Sequence, residues 1–407
     1  MIYRARMVVT MDGPPIENGA VAVKGGQIQA VGTFEEVSGI FRGDITDLGE
    51  QVVLPGLINA HCHLDYSTMR HAITPQKSFT AWIKSINNLK RSMDDDDYLQ
   101  AIGRGFKVLR KWGTTTVLNI ETLPELLVKM QPPPIRTWWF YEMIDIRHRI
   151  TTDELFAGAF AFFHQRPEWP GGFGLSPHAP YTASLDLHRL ANECARVTGM
   201  PLTTHLAESY EEDEMFRHAR GPLYDFLASL GRDMSDCGKG SAFAHIAGNG
   251  LIGPHWLIAH MNELGDDDFD LIAQLSIGPS LHIVHCPLSH RYFRHREFEY
   301  TRLRNAGANI SLGTDSLASN DSLDMFAEMR LLQKNEPSID SRELLTTVTV
   351  NPARALGREG LLGVIAPGAH ADLIALPFTG SPETVFDEIV NHRKPIEWMI
   401  VDGKTSA

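Results

Sequence analysis

Gln51-Val52-Val53-Leu54-Pro55-Gly56-Leu57-Ile58-Asn59-Ala60-His61-Cys62-His63 is an apolar run that closes on two histidines one residue apart. In extended backbone alternate side chains share a face, so His61 and His63 point one way and Cys62 points back. Two imidazoles then converge on one spot. Neutral imidazole suits zinc and iron, and a catalytic metal site takes three or more protein ligands. The pair alone does not complete such a site, so the remaining ligands have to come from further along the chain.

Downstream, strand-like and helix-like stretches alternate. The extended candidates are residues 114–119, 137–141, 172–175, 201–205, 256–260, 282–285 and 308–312. With the strand ahead of His61 they number about eight, with helical stretches between most of them, the order of an α/β fold of the (β/α)8 TIM-barrel type. Most of them end on a polar or ionisable residue. In such barrels the catalytic groups sit at the C-terminal strand ends, as expected for an enzyme.

The two ends of the chain read differently. Residues 20–23 and 28–32 flank Gly25-Gly26 as a hairpin would, and residues 372–376 and 398–403 are strand-like again. Residues 1–55 plus 357–407 are expected to form one small β-sandwich domain and residues 56–356 the barrel. The runs Asp94-Asp95-Asp96-Asp97 and Asp266-Asp267-Asp268 read as helix starts, where carboxylates complement the dipole.

The 407 residues are 43% hydrophobic and 21% charged, which provides for a sizeable core. A net charge of −13 argues against nucleic-acid or anionic-membrane partners. Cys62, Cys194, Cys237 and Cys286 form no Cys-x-x-Cys pair, so neither a disulfide framework nor a cysteine-rich zinc site is indicated. Without a secretory-type apolar start or ~18 uncharged apolar residues in a row, a cytoplasmic, non-membrane protein is expected. A homodimer is the base-rate expectation.

Three further strand ends carry ligand chemistry: His205 in Thr203-Thr204-His205, His260 in Ile258-Ala259-His260, and Asp315 in Leu312-Gly313-Thr314-Asp315. Each alone is bland. Presented by separate strands at one end of a barrel, they form a coherent ring with His61 and His63 around a metal ion.

These residues, with their neighbours, resemble the amidohydrolase superfamily in its metal-dependent deaminase branch. The resemblance covers nearly the whole chain through Asn59-Ala60-His61-Cys62-His63, Ser176-Pro177-His178-Ala179-Pro180-Tyr181, His205-Leu206-Ala207-Glu208-Ser209, Ala259-His260, Cys286-Pro287-Leu288-Ser289 and Gly313-Thr314-Asp315-Ser316-Leu317-Ala318-Ser319-Asn320. It implies that His61, His63, His205 and Asp315 bind one divalent ion, Zn2+ or Fe2+, and that the partners are a small molecule and water. No lysine lies between Lys129 and Lys239, which removes the carboxylated-lysine bridge of binuclear members. The zinc deaminases built on Pro-Cys-x-x-Cys are excluded by the cysteine spacing. Glu208 holds the position of the resembling family's proton shuttle, Asp315 can accept a proton, and His260 would hydrogen-bond the attacking hydroxide.

The same resemblance addresses the substrate. His178 is expected to contact a heterocycle, with Phe79 and Trp82 on a lid helix, Ser319 as a further contact, and Arg147 or Arg149 meeting a carboxylate. Deaminases of methylthioadenosine and S-adenosylhomocysteine typically carry a glutamate before the tryptophan and an arginine on the third strand. This chain has Ala81 and Phe140-Tyr141-Glu142 there, which looks more like aminodeoxyfutalosine deaminases. The expected reaction is hydrolytic removal of ammonia from the adenine group of an adenosine-like nucleoside. The alternatives are a triazine or chlorinated-heterocycle hydrolase, a guanine/cytosine-type deaminase, and a non-catalytic barrel scaffold, which predicts missing ligands.

Overall fold

The computed structural model describes residues 1–146, 151–165 and 169–405. Eight parallel strands follow one another around a barrel: Leu57–His63, Thr114–Glu121, Arg136–Met143, Gly171–Pro177, Leu202–Leu206, Trp256–His260, His282–His285 and Asn309–Leu312. The short strand Asp315–Ser316 pairs with Cys62 and His63 and so returns the eighth strand to the first. Gly313 stands where they meet. A Cβ there would lie 2.7 Å from His61 Cβ and 2.8 Å from the His61 backbone N and O, so only glycine fits without displacement.

The run from Gln51 to His63 is two strands in two sheets. Gln51–Pro55 lies in the terminal sheet, antiparallel to Leu373–Pro377, while Leu57–His63 belongs to the barrel. The break falls at Gly56, where a Cβ would come within 2.1 Å of Thr115 Cγ2 on the second barrel strand. The terminal sheet has eight strands taken from both ends of the chain, and Gly25 and Gly26, with φ of 60° and 80°, turn its Ile16–Lys24/Gln27–Thr33 hairpin.

Ile58, Leu118, Ile120, Trp138, Phe140, Leu257 and Val284 form one buried cluster drawn from strands on opposite sides, which fills the barrel beneath the strand ends. Cys62 packs outward against Ile102 and Phe106 of the helix Asp95–Lys111. That helix begins as its aspartates predict, with Asp94 as N-cap and Asp97 completing a capping box. Asp266 likewise opens the helix Asp266–Leu275. Among the described residues no helix is long and apolar enough to cross a membrane.

Candidate metal and catalytic site

The C-terminal strand ends bring the ligand candidates together. One ring nitrogen from each of His61, His205 and His260 lies within 4.8 Å of the others, and so do one atom each from His61, His63 and Asp315. Asp315 Oδ1 is 3.8 Å from His61 Nε2 and 3.9 Å from His63 Nε2. His63 Nε2 and His205 Nε2 approach to 3.2 Å. His205 Nδ1 is 2.8 Å from the His178 carbonyl, which can only accept, so Nδ1 carries the proton and Nε2 faces inward with its lone pair. His61 Nε2, His63 Nδ1 and His260 Nε2 are buried without a hydrogen-bond partner. Imidazole nitrogens gathered beside a carboxylate, His61 Nε2 among them without a protein partner, are a donor set that a cation completes.

Burial, and then the neighbouring imidazoles, bring His61 and His205 down to about 3 and hold His63 and His260 well below the usual imidazole range. All four are therefore neutral and free to ligate at physiological pH. His260 joins the same cluster, its ring 5.3 and 5.4 Å from those of His61 and His205 between centroids. Its Nε2 lies 3.6 Å from Glu208 Oε1. Glu208 is pushed well above the usual carboxylate range by burial first, then by the Asp315 and Glu212 carboxylates.

Backbone geometry places these groups. Ala207, His260, Met261 and Asp315 all have positive φ, at 50°, 78°, 54° and 56°, although none is glycine. Glu212 accepts from Ala207 N at 3.3 Å and Glu208 N at 2.7 Å, and Asn262 Nδ2 donates to the Glu208 carbonyl at 3.0 Å. The turn that carries Glu208 is thus held from both sides.

Over the strand ends lies a cleft of about 170 Å3 reaching His63, His205, Glu208 and Asp315 at its floor. The helix Phe79–Lys90 roofs it with Phe79, Trp82, Ile83, Ile86 and Lys90, spaced to share one face. Its first turn is tied to the floor, because Phe79 N and Thr80 N donate to Glu211 at 3.1 and 2.9 Å. His178 and Tyr181 form part of the wall.

The sequence profile of the amidohydrolase family matches residues 52–405. The chain belongs to the amidohydrolase family. A 5-methylthioadenosine/S-adenosylhomocysteine deaminase of Syntrophobacter fumaroxidans is 28% identical over 91% of this chain and 83% of its own. An aminodeoxyfutalosine deaminase of Deinococcus radiodurans is 27% identical over 83% of this chain and 81% of its own. The fold is shared with the Helicobacter pylori aminofutalosine deaminase crystallised with methylthio-coformycin. That structure has a TM-score of 0.84, covers 100% of both chains and is 22% identical.

Not every residue expected at the substrate lies in this amidohydrolase's cleft. Ser319 is fully buried behind Asp315, donating to its Oδ2 at 2.9 Å, so it supports that carboxylate and does not line the cleft. Ser289, which sequence reasoning missed in this role, donates to the same oxygen at 2.7 Å. Arg147 and Arg149 lie outside the described residues. Trp82 faces the cleft while packing on Phe79 and Phe293. Lys90, Tyr66 and Glu142 also line the cleft. Lys90 was open to detection, since it falls eleven residues after Phe79 on the same helical face.

Proposed function

We propose that this amidohydrolase is a metal-dependent deaminase that replaces the 6-amino group of an adenine nucleoside by oxygen and releases ammonia. The observation that carries the reading is the meeting of Glu208 with the His61, His63, His205 and Asp315 donor set on the floor of one aromatic-roofed cleft. His61, His63, His205 and Asp315 would hold the ion, with zinc favoured and ferrous iron the alternative for such N/O donors. A bound divalent ion supplies acidified water near neutral pH. The barrel of residues 56–356 carries the site in this reading, and residues 1–55 with 357–407 form its companion β unit.

Glu208 takes a proton from the attacking water and delivers it to the ring nitrogen next to the carbon under attack. Its burial suits it to hold that proton between the two transfers. The second water proton leaves with the amine as the C–N bond breaks, so water and amine become carbonyl and ammonia. His260 Nε2, unpartnered and 3.6 Å from Glu208, hydrogen-bonds the incoming oxygen. Phe79 and Trp82 exclude water and stack on the base.

Ammonia release and loss of the adenine absorbance band would be measured with adenosine, 5-methylthioadenosine, S-adenosylhomocysteine and aminodeoxyfutalosine, beside chloride release from a chlorotriazine. Turnover of at least one nucleoside, abolished by chelation and restored by Zn2+, is expected. Chloride release with no ammonia from any nucleoside would overturn the reading.

A further inference from the structure

Among the described residues lining the cleft, Glu142 is the one carboxylate outside the metal and proton-transfer set, and Lys90 is the one ammonium. Glu142 comes near the end of the third barrel strand with its side chain 7% exposed, and its Oε1 lies 4.0 Å from His178 Nε2. His178 Nδ1 is 2.6 Å from Thr182 Oγ1, whose own proton goes to the Ala179 carbonyl. His178 is thus held through Nδ1 and turns its Nε2 edge to Glu142. A carboxyl group and an imidazole edge stand side by side at the cleft wall.

Lys90 enters from the roof. It gives one proton to Tyr66 Oη at 2.7 Å and has two more to offer. Tyr66 Oη is itself anchored 2.9 Å from Thr122 Oγ1. Burial pushes the Glu142 carboxyl upward and the Lys90 ammonium opposes it. An anionic ligand group would meet Glu142 and, behind it, the buried carboxyl groups of Asp65 and Glu121. The complement to a carboxyl acceptor and a neighbouring ammonium donor is instead an uncharged group that both donates and accepts. Adjacent hydroxyls fit that description.

We infer that Glu142 and Lys90 form a specificity pair that grips vicinal hydroxyls of the substrate's sugar, Glu142 accepting their protons and Lys90 donating to a hydroxyl oxygen. The inference rests on the nucleoside reading above. It assigns to these two side chains the choice of ribose over sugars that lack the diol, while the base is handled at the metal end.

The test compares kcat/KM for adenosine and 2′,3′-dideoxyadenosine in the wild type, Glu142→Gln and Lys90→Met, with Kd for inosine and 2′,3′-dideoxyinosine by calorimetry on the same proteins. The wild type should favour the ribosides by about 30-fold or more, as losing bonds to charged groups predicts. Glu142→Gln should shrink that ratio to about threefold by lowering only the riboside values, and Lys90→Met should reduce it in part. Equal wild-type values for riboside and dideoxyriboside would overturn the pair alone. An equal fall on both in Glu142→Gln, with Lys90→Met unchanged, would do the same. Ammonia from neither of these, nor from 5-methylthioadenosine, S-adenosylhomocysteine or aminodeoxyfutalosine, would overturn the nucleoside reading and the pair with it.

Discussion

Alanine replacements at Ser289 and Ser319 test whether Asp315 is oriented in advance for an ion. Asp315 Oδ2 accepts from Ser289 Oγ at 2.7 Å and Ser319 Oγ at 2.9 Å. Oδ1, which accepts from Ser316 N at 2.7 Å, is the oxygen turned toward the imidazoles of His61 and His63. The two hydroxyls lie 2.9 Å apart, so either one can still donate when the other is lost. A hydrogen bond to a charged group contributes about 1.5–3 kcal/mol, and a partial replacement recovers some of it. Each single variant should therefore lose about tenfold in Zn2+ affinity, the lower end of what outer-partner mutations cost.

The double variant leaves Oδ2 bare and should lose more than about 100-fold, the excess over the two singles measuring their coupling. Chelator-competition titrations of the apoproteins give the affinities, and urea midpoints monitor folding. The reasoning is refuted if the double variant binds Zn2+ within about twofold of the wild type and Asp315→Ala does too, because Oδ1 would then hold no ion. Strictly additive single losses would refute the mutual backup of the two serines.

Glu208→Gln should lower kcat by about 10²–10⁴ with little change in KM. Its thermal midpoint should stay near that of the wild type, since a buried carboxyl is replaced by an amide of the same shape. Gly313→Ala forces a methyl to within 2.7 Å of His61 Cβ and should cost about 1–3 kcal/mol in urea unfolding, with weaker metal binding. Glu263 is raised to about 7, by burial against the opposing pull of Arg296. A carboxyl raised in the folded state holds its proton more tightly there, so its contribution is full below its ordinary value and is lost as pH rises through about 7. Glu263→Gln should flatten the fall in urea midpoint between about pH 5 and pH 8.

The gathering of His61, His63, His205, His260 and Asp315 was legible because each is a side chain whose chemistry stands out at the close of an apolar run. His61 and His63 needed only the two-residue repeat of a strand, and Glu208 only its distance from His205. The change of sheet at Gly56 is fixed by the approach of Thr115, which leaves no room for a Cβ between Gln51–Pro55 and Leu57–His63. The place of Ser319 was not legible. It follows Asp315 by four residues, but the turn between them folds its hydroxyl behind the carboxylate and away from the cleft. Ser289 carried no local signal, because its partner is 26 residues away on another strand end.

Four non-glycine residues with positive φ at one rim explain why these strand ends make a site and not merely a polar edge. Such backbone costs about 1–3 kcal/mol per residue and persists only where surrounding bonds fix it. Here they do: Met261 N donates to Leu206 O at 3.0 Å, and Asn262 N and Glu263 N both donate to Ala207 O at 2.9 Å, lacing the fifth strand's exit to the sixth's. Asp315 is fixed by Thr314 N donating to His61 O at 3.0 Å and by the pairing of Asp315 and Ser316 with Cys62 and His63. The left-handed turns leave His61 Nε2 and His260 Nε2 buried with no hydrogen-bond partner. A relaxed, extended backbone at Ala207 or Asp315 would carry Glu208 or the carboxylate out of the ring. The strain and the unsatisfied nitrogens are therefore two consequences of one arrangement, which the barrel's hydrogen bonds hold ready for a cation and a water molecule.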